Sequence, residues 1–343
     1  MAVAYHKTMS RREIRDLAAQ CGFELAGVAA ALPHEDAARY LEWVERGLAG
    51  RMGYLTDRRA ALRTDPRQLL PSARSIICVG KLYNGPIPYS TEYDSNERAW
   101  ISRYAWGDDY HDVMRGGLER LAAALGTDHE WKVCVDTAPL LERSYARSAG
   151  LGWIGKNTCL INEPLGSWFF LGELLTSLEL APADSPPDRC GTCTRCIDAC
   201  PTQALTPYEL DATRCISYFT IELRGAVPDE HRAGIGRHVF GCDICQDVCP
   251  WNRRAPETSE AAFAPREIAP PLEKLAALTE EEFRAMFAGS PVKRARYSGF
   301  LRNVAVAMGN AGAGRFREPL ERLARSDDAV VREAAAWALA RIV

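Results

Sequence analysis

A dense run of cysteines in residues 190–250 constrains this chain more than any other feature. Its first part, CGTCTRCIDACP, begins at Cys190 and has the C-x2-C-x2-C-x3-C-P spacing by which thiolates hold a [4Fe–4S] cluster. Its second part, CDICQDVCP, begins at Cys242 and supplies only the last three cysteines of that pattern. Val239 occupies the position of the missing ligand, and Cys215 is the only cysteine between the two runs. The sequence therefore predicts two [4Fe–4S] clusters, with Cys215 completing the second set.

The spacing also predicts how the cysteines divide. In proteins with two such clusters, the fourth cysteine of each run binds the other cluster. Disulfides are a weaker interpretation because nothing in the chain indicates secretion. Zinc is weaker because zinc sites use paired C-x2-C knuckles without the third cysteine and the proline. The predicted ligand sets are Cys190, Cys193, Cys196 and Cys249 for cluster one, and Cys200, Cys215, Cys242 and Cys245 for cluster two.

Composition and charge limit the remaining possibilities. The chain has 343 residues, of which 47% are hydrophobic and 25% charged, as in ordinary globular proteins of about two domains. Its net charge of −3 means that nucleic-acid binding would need a local basic patch. No apolar run reaches membrane-span length. Arg11-Arg12 is followed by charged residues, so we interpret Ser10 and Glu13 as the capping box of a helix over 10–21, not as part of an export signal. We expect a cytoplasmic protein with reduced thiols.

One carboxylate before the cysteines lies in a pattern typical of active sites. WKVCVD, in residues 131–136, predicts a strand that ends at Asp136, and Pro139 is predicted to open a helix that Gly150 closes. A carboxylate at a strand end beside a helix start is a common catalytic position. A helix N-cap is an equally good interpretation of the position alone. The glycine-rich stretch that follows, residues 150–161, permits close approach of backbone to a large ligand.

The segment Asp109-Tyr110-His111 is similar to the Asp-x-His start of a cobalamin motif in which histidine binds cobalt from below. The glycine that the motif requires is replaced by Met114. We therefore predict that His111 is not a cobalt ligand and lies on the polar surface.

The C-terminal part has a different composition. From residue 300 onward, short Ala- and Leu-rich amphipathic segments resemble HEAT repeats. SPVKRARYSGFLRN, just before them, is the densest basic cluster in the chain and contains Lys293, Arg294, Arg296 and Arg302. A solvated helix face is the alternative to a phosphate-binding surface. No P-loop or dinucleotide fingerprint is present, so electrons must come from an external donor.

Several segments together resemble the epoxyqueuosine reductase family. These are VDTAPLLERSYARSAGLGWIGKNTCLI, GSWFFLGELLTSLEL, CGTCTRCIDACPTQAL, CISYFTIELRG, GCDICQDVCPWN and SPVKRARYSGFLRN, and the likeness extends from about residue 58 to the C-terminus. The cysteine motifs are shared with many ferredoxins and with reductive dehalogenases. The segment around Asp136 and the basic segment are more specific.

The resemblance implies a cobalamin enzyme that reduces epoxyqueuosine to queuosine at the wobble position of tRNAs for aspartate, asparagine, histidine and tyrosine. Cob(I)alamin would deoxygenate the epoxide, with electrons relayed through the clusters from a flavodoxin- or ferredoxin-type donor. Asp136 would be the proton donor, with a pKa raised by burial. Further cofactor contacts would come from Arg63, Asn157, Ser217, Gly241, Cys242 and Asp243, and tRNA contacts from Arg224, Lys293, Arg294 and Arg296.

The implied fold class is α+β, and the chain is expected to be a monomer. Residues 1–185 would form a mixed-sheet, cobalamin-binding catalytic domain, residues 186–255 a bacterial-ferredoxin-like domain with two [4Fe–4S] clusters, and residues 256–343 HEAT-like helical repeats. Two alternatives remain open at this point. One is a cobalamin-dependent reductive dehalogenase, whose respiratory members usually carry the export signal that is lacking here. The other is a ferredoxin-type electron carrier, which needs neither a proton donor nor a corrin cavity.

Overall fold

The computed structural model describes residues 9–342. Its strands are β1 (Leu25–Ala30), β2 (Ser75–Leu82), β3 (Trp100–Ile101), β4 (Trp131–Cys134), β5 (Trp153–Ile154), β6 (Leu160–Ile161), β7 (Phe169–Thr176), β8 (Leu205–Thr206), β9 (Glu209–Leu210) and β10 (His238–Phe240). Its α-helices are α1 (Arg11–Gln20), α2 (Asp36–Glu45), α3 (Gly53–Thr56), α4 (Arg59–Leu62), α5 (Tyr110–Leu125), α6 (Glu142–Ser148), α7 (Arg195–Asp198), α8 (Asp229–Ile235), α9 (Ile244–Asp247), α10 (Leu272–Ala276), α11 (Glu280–Met286), α12 (Arg296–Ala311), α13 (Arg317–Leu323) and α14 (Ala329–Leu339). Within these residues, no helix combines the length and the apolar character needed to cross a membrane.

A four-stranded sheet in the order β1-β2-β7-β4 forms the centre of the N-terminal part. All three pairings are antiparallel, so the expectation of a mixed sheet is wrong for this sheet. The parallel pairing is confined to β3 and β10, which form a separate two-stranded unit. Strand direction depends on how the connections cross the sheet, and the apolar pattern of a single strand does not record it.

Strand β7 lies inside this sheet and is covered on both faces. One face packs against α1 and α5 through Ile14, Met114 and Leu118, and the other packs against α6 through Tyr145. Such double coverage explains the nearly continuous apolar sequence FFLGELLT of β7. At Gly27 in β1, an added Cβ would lie 1.9 Å from the carbonyl oxygen of Ala149, so the end of α6 approaches the sheet only because this residue is glycine.

The first helix confirms its sequence prediction. Helix α1 begins after Ser10, whose side chain accepts a hydrogen bond from the backbone N–H of Glu13, and the Glu13 carboxylate accepts one from the backbone N–H of Ser10. This reciprocal capping satisfies donors that the first helical turn leaves unpaired.

The sequence CISYFTIELRG, in residues 215–225, predicts a helix that joins the two cysteine runs. In the structure the regular part ends earlier, with a π-helix over Tyr218–Glu222, and Leu223 is extended. The short helices α7 and α9 each begin within the cysteine runs. One hydrophobic core joins Phe219 in this segment to Phe300 in α12, so the cluster region packs directly on the C-terminal helices.

Arg302, predicted as part of the basic cluster, is buried in α12. Its guanidinium donates hydrogen bonds to the carbonyl oxygens of Leu223 (2.8 Å), Gly225 (2.6 Å) and Phe219. Carbonyls near a helix C-terminus lack partners and favour a cation, which explains why a charged side chain is tolerated there. Arg302 therefore holds the π-helical segment against α12 and is not available to phosphate.

Candidate active site

A cavity of about 1050 Å³ lies where the sheet, the cysteine region and the basic segment meet. Asp136 and His111 lie on one side, and apolar and aromatic side chains including Tyr104 and Phe170 form part of the wall. Lys293 and Arg294 also line it. A third group in the lining consists of the four cysteines predicted for cluster two, Cys200, Cys215, Cys242 and Cys245.

Asp136 lies in a loop just beyond β4 and has a positive φ of 46°. This conformation costs of order 1–3 kcal/mol for a non-glycine residue, so the surroundings must hold it in place. The backbone N–H of Asp136 donates a 2.6 Å hydrogen bond to Oε1 of Glu142. The next helix begins at Glu142 and its N-cap position is Leu141, without a side-chain cap. Asp136 is therefore not a helix cap, and the prediction that Pro139 opens the helix is wrong.

The Asp136 carboxylate faces the cavity, with 56% of its side chain exposed, and is paired with a histidine. Its Oδ2 lies 3.2 Å from Nε2 of His111, and the Tyr110 hydroxyl also donates to it. Burial alone would raise the pKa of Asp136, but the hydrogen bond and positive charge of His111 outweigh that effect and hold the pKa below 3.8. The expectation of a raised pKa is therefore wrong for this arrangement, because the sequence did not reveal the histidine partner.

His111 lies between two carboxylates. Its Nδ1 is 2.6 Å from Oδ1 of Asp109, on the side opposite Asp136. Burial would lower the pKa of His111, but the hydrogen bonds to Asp109 and Asp136 raise it to about 9. Hydrogen bonding to His111 is also the largest cause that lowers the pKa of Asp109 to about 2. His111 is therefore protonated at neutral pH, and the predicted polar-surface position is wrong because it lines the cavity.

The structure brings cysteines of the two runs close together. Cys249, from the second run, packs with Cys190 of the first run around Trp153. Burial first, and then the charge of the Cys215 thiolate, raise the pKa of Cys242 well above its ordinary value, and Cys200 contributes to the same shift. Within residues 9–342, no group of three or more histidine, cysteine, aspartate or glutamate side chains is placed to hold a single metal ion. A cluster spaces its ligands more widely, because each cysteine binds a different iron atom.

The remaining predicted cofactor contacts fall into two groups. Asn157 and Ser217 line the cavity, and Nδ2 of Asn157 donates a 3.2 Å hydrogen bond to the carbonyl oxygen of Cys245. Arg63, Gly241 and Asp243 do not line it. The guanidinium of Arg63 donates to two backbone carbonyls. The buried Asp243 carboxylate accepts hydrogen bonds from neighbouring side-chain and backbone donors and so shapes the backbone beside Cys242.

Of the four predicted tRNA-binding residues, Lys293 and Arg294 line the cavity, and Arg224 and Arg296 lie outside its lining. Lys293 is 61% exposed and its Nζ lies 3.2 Å from Oδ2 of Asp109, which links the basic segment to the His111 pair. Arg294 pairs with Glu222 at 3.0 Å. The guanidinium of Arg224 donates hydrogen bonds to the carbonyl oxygens of Ala295 and Arg294. Burial is the main cause that lowers the pKa of Arg224, and the positive charge of the exposed Arg296 lowers it further.

Sequence reasoning missed two acidic residues beside Asp136. Glu142 lines the cavity, and Glu173 lies behind it with 0% exposure in the middle of β7. A signal for Glu173 was present, because a charged residue inside an otherwise apolar strand is rarely buried without a special reason.

Two family models match the chain. The model described as "4Fe-4S double cluster binding domain" matches residues 189–252, and the model described as "Epoxyqueuosine reductase QueG, DUF1730" matches residues 63–137, which includes Asp136. A curated epoxyqueuosine reductase of Xanthomonas campestris pv. campestris is 44% identical over 97% of this chain and 96% of its own length. This chain belongs to the epoxyqueuosine reductase family.

Other epoxyqueuosine reductases agree with this assignment. The enzyme of Pseudomonas aeruginosa is 41% identical over 96% of this chain and 94% of its own length. Among solved structures, an epoxyqueuosine reductase with an epoxyqueuosine-modified tRNA(Tyr) stem loop has a TM-score of 0.88 and 32% identity, covering 96% of this chain and 89% of that one. Membership of the epoxyqueuosine reductase family decides against the dehalogenase and electron-carrier alternatives.

A second solved structure of the family is also similar. The epoxyqueuosine reductase of Bacillus subtilis has a TM-score of 0.78 and 28% identity, covering 97% of this chain and 98% of that one, and it is described with an aspartate-bearing catalytic loop swung out of the active site. In the present member of the epoxyqueuosine reductase family, the Asp136 loop faces the cavity and is held there by Glu142 and His111.

Proposed function

We propose that this chain reduces epoxyqueuosine to queuosine at the wobble position of tRNAs for aspartate, asparagine, histidine and tyrosine. The observation that carries the proposal is a single cavity lined by Asp136, by the four cysteines of cluster two and by Lys293 and Arg294. A proton donor, an electron source and a phosphate-binding group therefore face the same space. The test is conversion of an epoxyqueuosine-containing stem loop by the reconstituted protein with a low-potential reductant, followed by mass spectrometry.

The size and lining of the cavity support cobalamin as its ligand. Its volume of about 1050 Å³ lies at the upper limit for small-molecule pockets, which favours a large ligand. Aromatic side chains such as Tyr104 and Phe170 offer flat apolar contact, and Asn157 and Ser217 offer polar contact at the side of cluster two. Cobalamin, when bound, supplies the reducing nucleophile for the epoxide carbon. Arg63, Gly241 and Asp243 would then support the cofactor site from outside the lining, through the backbone that they hold.

The protein's own residues supply protons. At neutral pH the proton of the Asp136–His111 pair resides on His111, whose pKa is about 9. When substrate and cofactor displace water, desolvation disfavours the ion pair and favours its neutral form, in which Asp136 carries the proton. Asp136 then acts as the general acid towards the oxygen of the opened epoxide.

This assignment predicts a pH dependence. A raised pKa means that His111 keeps its proton until the pH rises through about 9, so we expect the single-turnover rate to fall above that pH. His111→Gln should lower the rate at pH 7 by about tenfold or more and remove that decline. His34→Gln, outside the cavity lining, is the control and should keep the wild-type pH profile. A decline near pH 9 that persists in His111→Gln would show that another group titrates.

We propose that one cluster accepts electrons from the donor and that the other cluster passes them to the cavity. Cluster one would receive them from an external flavodoxin- or ferredoxin-type donor, because Cys190 and Cys193 are flanked by the exposed residues Gly191, Thr192 and Thr194. Cluster two would deliver them, because its four cysteines line the cavity. We propose that the protein acts as a monomer, and a tRNA substrate and reduced thiols support a cytoplasmic location.

The three predicted segments have distinct parts in this function. We propose that residues 1–185 bind cobalamin and carry the catalytic acid, that residues 186–255 carry the clusters, and that residues 256–343 form a HEAT-like helical region beside the tRNA. The packing of α12 against α14 supports the helical-repeat interpretation. The shared core of Phe219 and Phe300 supports a rigid connection between the last two segments.

The basic residues at the cavity should contribute to tRNA affinity through phosphate contacts. Replacing Lys293, Arg294 and Arg296 by alanine should weaken binding and flatten its dependence on salt, by roughly one unit of slope for each phosphate that is no longer neutralised. Arg224 is omitted because it also holds backbone carbonyls. The measurement is stem-loop affinity over a series of salt concentrations.

A control for this test removes the same charge elsewhere. Arg11, Arg12 and Arg15 on α1 lie outside the cavity lining, and their replacement by alanine should leave the salt slope unchanged. Equal slopes in the two triple variants would exclude the basic segment from the tRNA interface.

A further inference from the structure

Glu173 is a carboxyl group in a place where an isolated charge is strongly disfavoured. It lies on β7 with 0% exposure, and its cross-strand neighbours are Cys78 on β2 and Cys134 on β4. Within the described part of the chain, no N–H or hydroxyl group donates a hydrogen bond to either of its carboxyl oxygens. A buried carboxyl group without such a donor retains its proton instead of carrying a charge.

The partner of the Glu173 carboxyl group is the carboxyl group of Glu142. Helix α6, which begins at Glu142, packs against β7, and the side chains of Glu142 and Glu173 interact as hydrogen-bond partners. Two carboxylates have no hydrogen to donate, so this hydrogen bond exists only when one of them carries a proton. The other contact of Glu142 is the backbone N–H of Asp136, which donates to its Oε1. Glu142 therefore contacts the loop that carries Asp136, and Glu173 is buried in the sheet.

The charges around the pair favour retention of that proton. Burial first, and then the negative charge of Asp136, raise the pKa of Glu142 to about 7. Smaller opposite effects come from the hydrogen bond with the backbone N–H of Asp136, from the charge of Arg143 and from the hydrogen bond with Glu173. Burial and the negative charge of Glu142 raise the pKa of Glu173 well above its ordinary value. The thiols of Cys78 and Cys134, which flank Glu173, are themselves held neutral because burial raises the pKa of each. Like-charged carboxyl groups in one site share a proton for the same reason in other enzymes.

We propose that Glu142 and Glu173 form a carboxyl pair that stores one proton and delivers it through Glu142 into the cavity where Asp136 acts. This inference rests on the proposed function. Removal of an epoxide oxygen breaks two C–O bonds, forms one C=C bond and releases water. The reaction consumes two electrons, from the external one-electron donor, and two protons.

The site holds a source for each proton. The Asp136–His111 pair supplies the first, and the Glu142–Glu173 pair supplies the second. Glu142 lines the cavity and so reaches the substrate oxygen or the spent Asp136 carboxylate, directly or through cavity water. Glu173 does not line the cavity, so it is a positioning residue that keeps the proton on Glu142. After turnover, water in the cavity returns the proton to the pair.

Infrared spectroscopy tests the stored proton without reference to activity. The reconstituted protein should show the C=O stretch of a protonated carboxyl group that persists at pH 7, where ordinary carboxyl groups are ionised. Glu173→Gln should remove this band at pH 7, because the glutamine amide donates a hydrogen bond to Glu142 and stabilises its ionised form. Glu142→Gln leaves Glu173 as the sole carrier of the band, and Glu119→Gln, exposed on α5, should leave the wild-type spectrum unchanged.

The wild-type spectrum alone can overturn the proposal, so the test does not depend on the folding of any variant. Absence of a protonated carboxyl band at pH 7 contradicts the stored proton. A band that remains unchanged in both Glu173→Gln and Glu142→Gln would assign the proton to other residues and would also overturn it.

Single-turnover rates test delivery of the proton. With pre-reduced enzyme and an epoxyqueuosine stem loop, Glu173→Gln should be about tenfold slower than wild type at pH 8 and should approach the wild-type rate at pH 6. An equal loss at both pH values would indicate a purely structural role and would overturn delivery. If wild type itself gave no queuosine, the proposed function would fail, whereas the infrared result would still decide whether the pair holds a proton.

Discussion

Replacing Asp136 by asparagine is expected to lower the single-turnover rate of epoxyqueuosine reduction by about 100-fold or more, within the usual range for general acid catalysis. The epoxide oxygen leaves poorly without a proton, and reduction supplies electrons but no protons. Asparagine keeps the size of the side chain and can still contact His111, but its amide cannot act as an acid. Asparagine also tolerates positive φ, so the conformation of the loop at 46° should be preserved.

The measurement is formation of queuosine in a stem loop by chemically pre-reduced enzyme, which separates proton transfer from electron delivery. Asp112→Asn is the matched control, since Asp112 is an exposed aspartate in the first turn of α5 and its replacement makes the same charge change. Cluster content, cobalamin binding and stem-loop affinity should be unchanged in both variants. A rate near that of wild type in Asp136→Asn would remove Asp136 from the role of general acid.

Replacing Cys215 by serine is expected to remove about half of the iron and sulfide of the reconstituted protein and to abolish turnover with an external electron donor. Cys215 is the one predicted ligand outside both cysteine runs, and it lines the cavity with the other ligands of cluster two. Loss of that cluster would leave cluster one intact but would separate it from the cavity. Cys21→Ser, at a buried cysteine after α1, is the control and should keep the full iron content.

Double variants test the division of the ligands between the clusters. If Cys249 belongs with Cys190, as their packing indicates, Cys190→Ser with Cys249→Ser should lose no more iron than either single change. Cys190→Ser with Cys215→Ser should lose both clusters. Full iron in Cys215→Ser, or complete loss in the Cys190 and Cys249 double variant, would contradict the crossover assignment.

The sequence by itself determined the features whose chemistry is local. Cluster ligands must follow one another at short fixed intervals, so the cysteine runs predicted a double-cluster domain, which the family model over residues 189–252 confirms. A capping box joins residues three apart, so Ser10 and Glu13 predicted the start of α1 correctly. The segment around Asp136 likewise indicated the family, because its residues are contiguous.

Only the tertiary structure decided the features made by residues distant in sequence. His111 and Asp136 are 25 positions apart, and their contact reversed the expected direction of the Asp136 pKa. Glu173 meets Glu142 because α6, which begins at Glu142, packs against β7. Arg302 belonged to a basic run in the sequence, but packing of α12 turned it towards buried carbonyls. The charges and their spacing along the chain identify the ionisable groups. The protonation of those groups depends on their burial and their partners, and both are set by packing between residues that are distant in sequence.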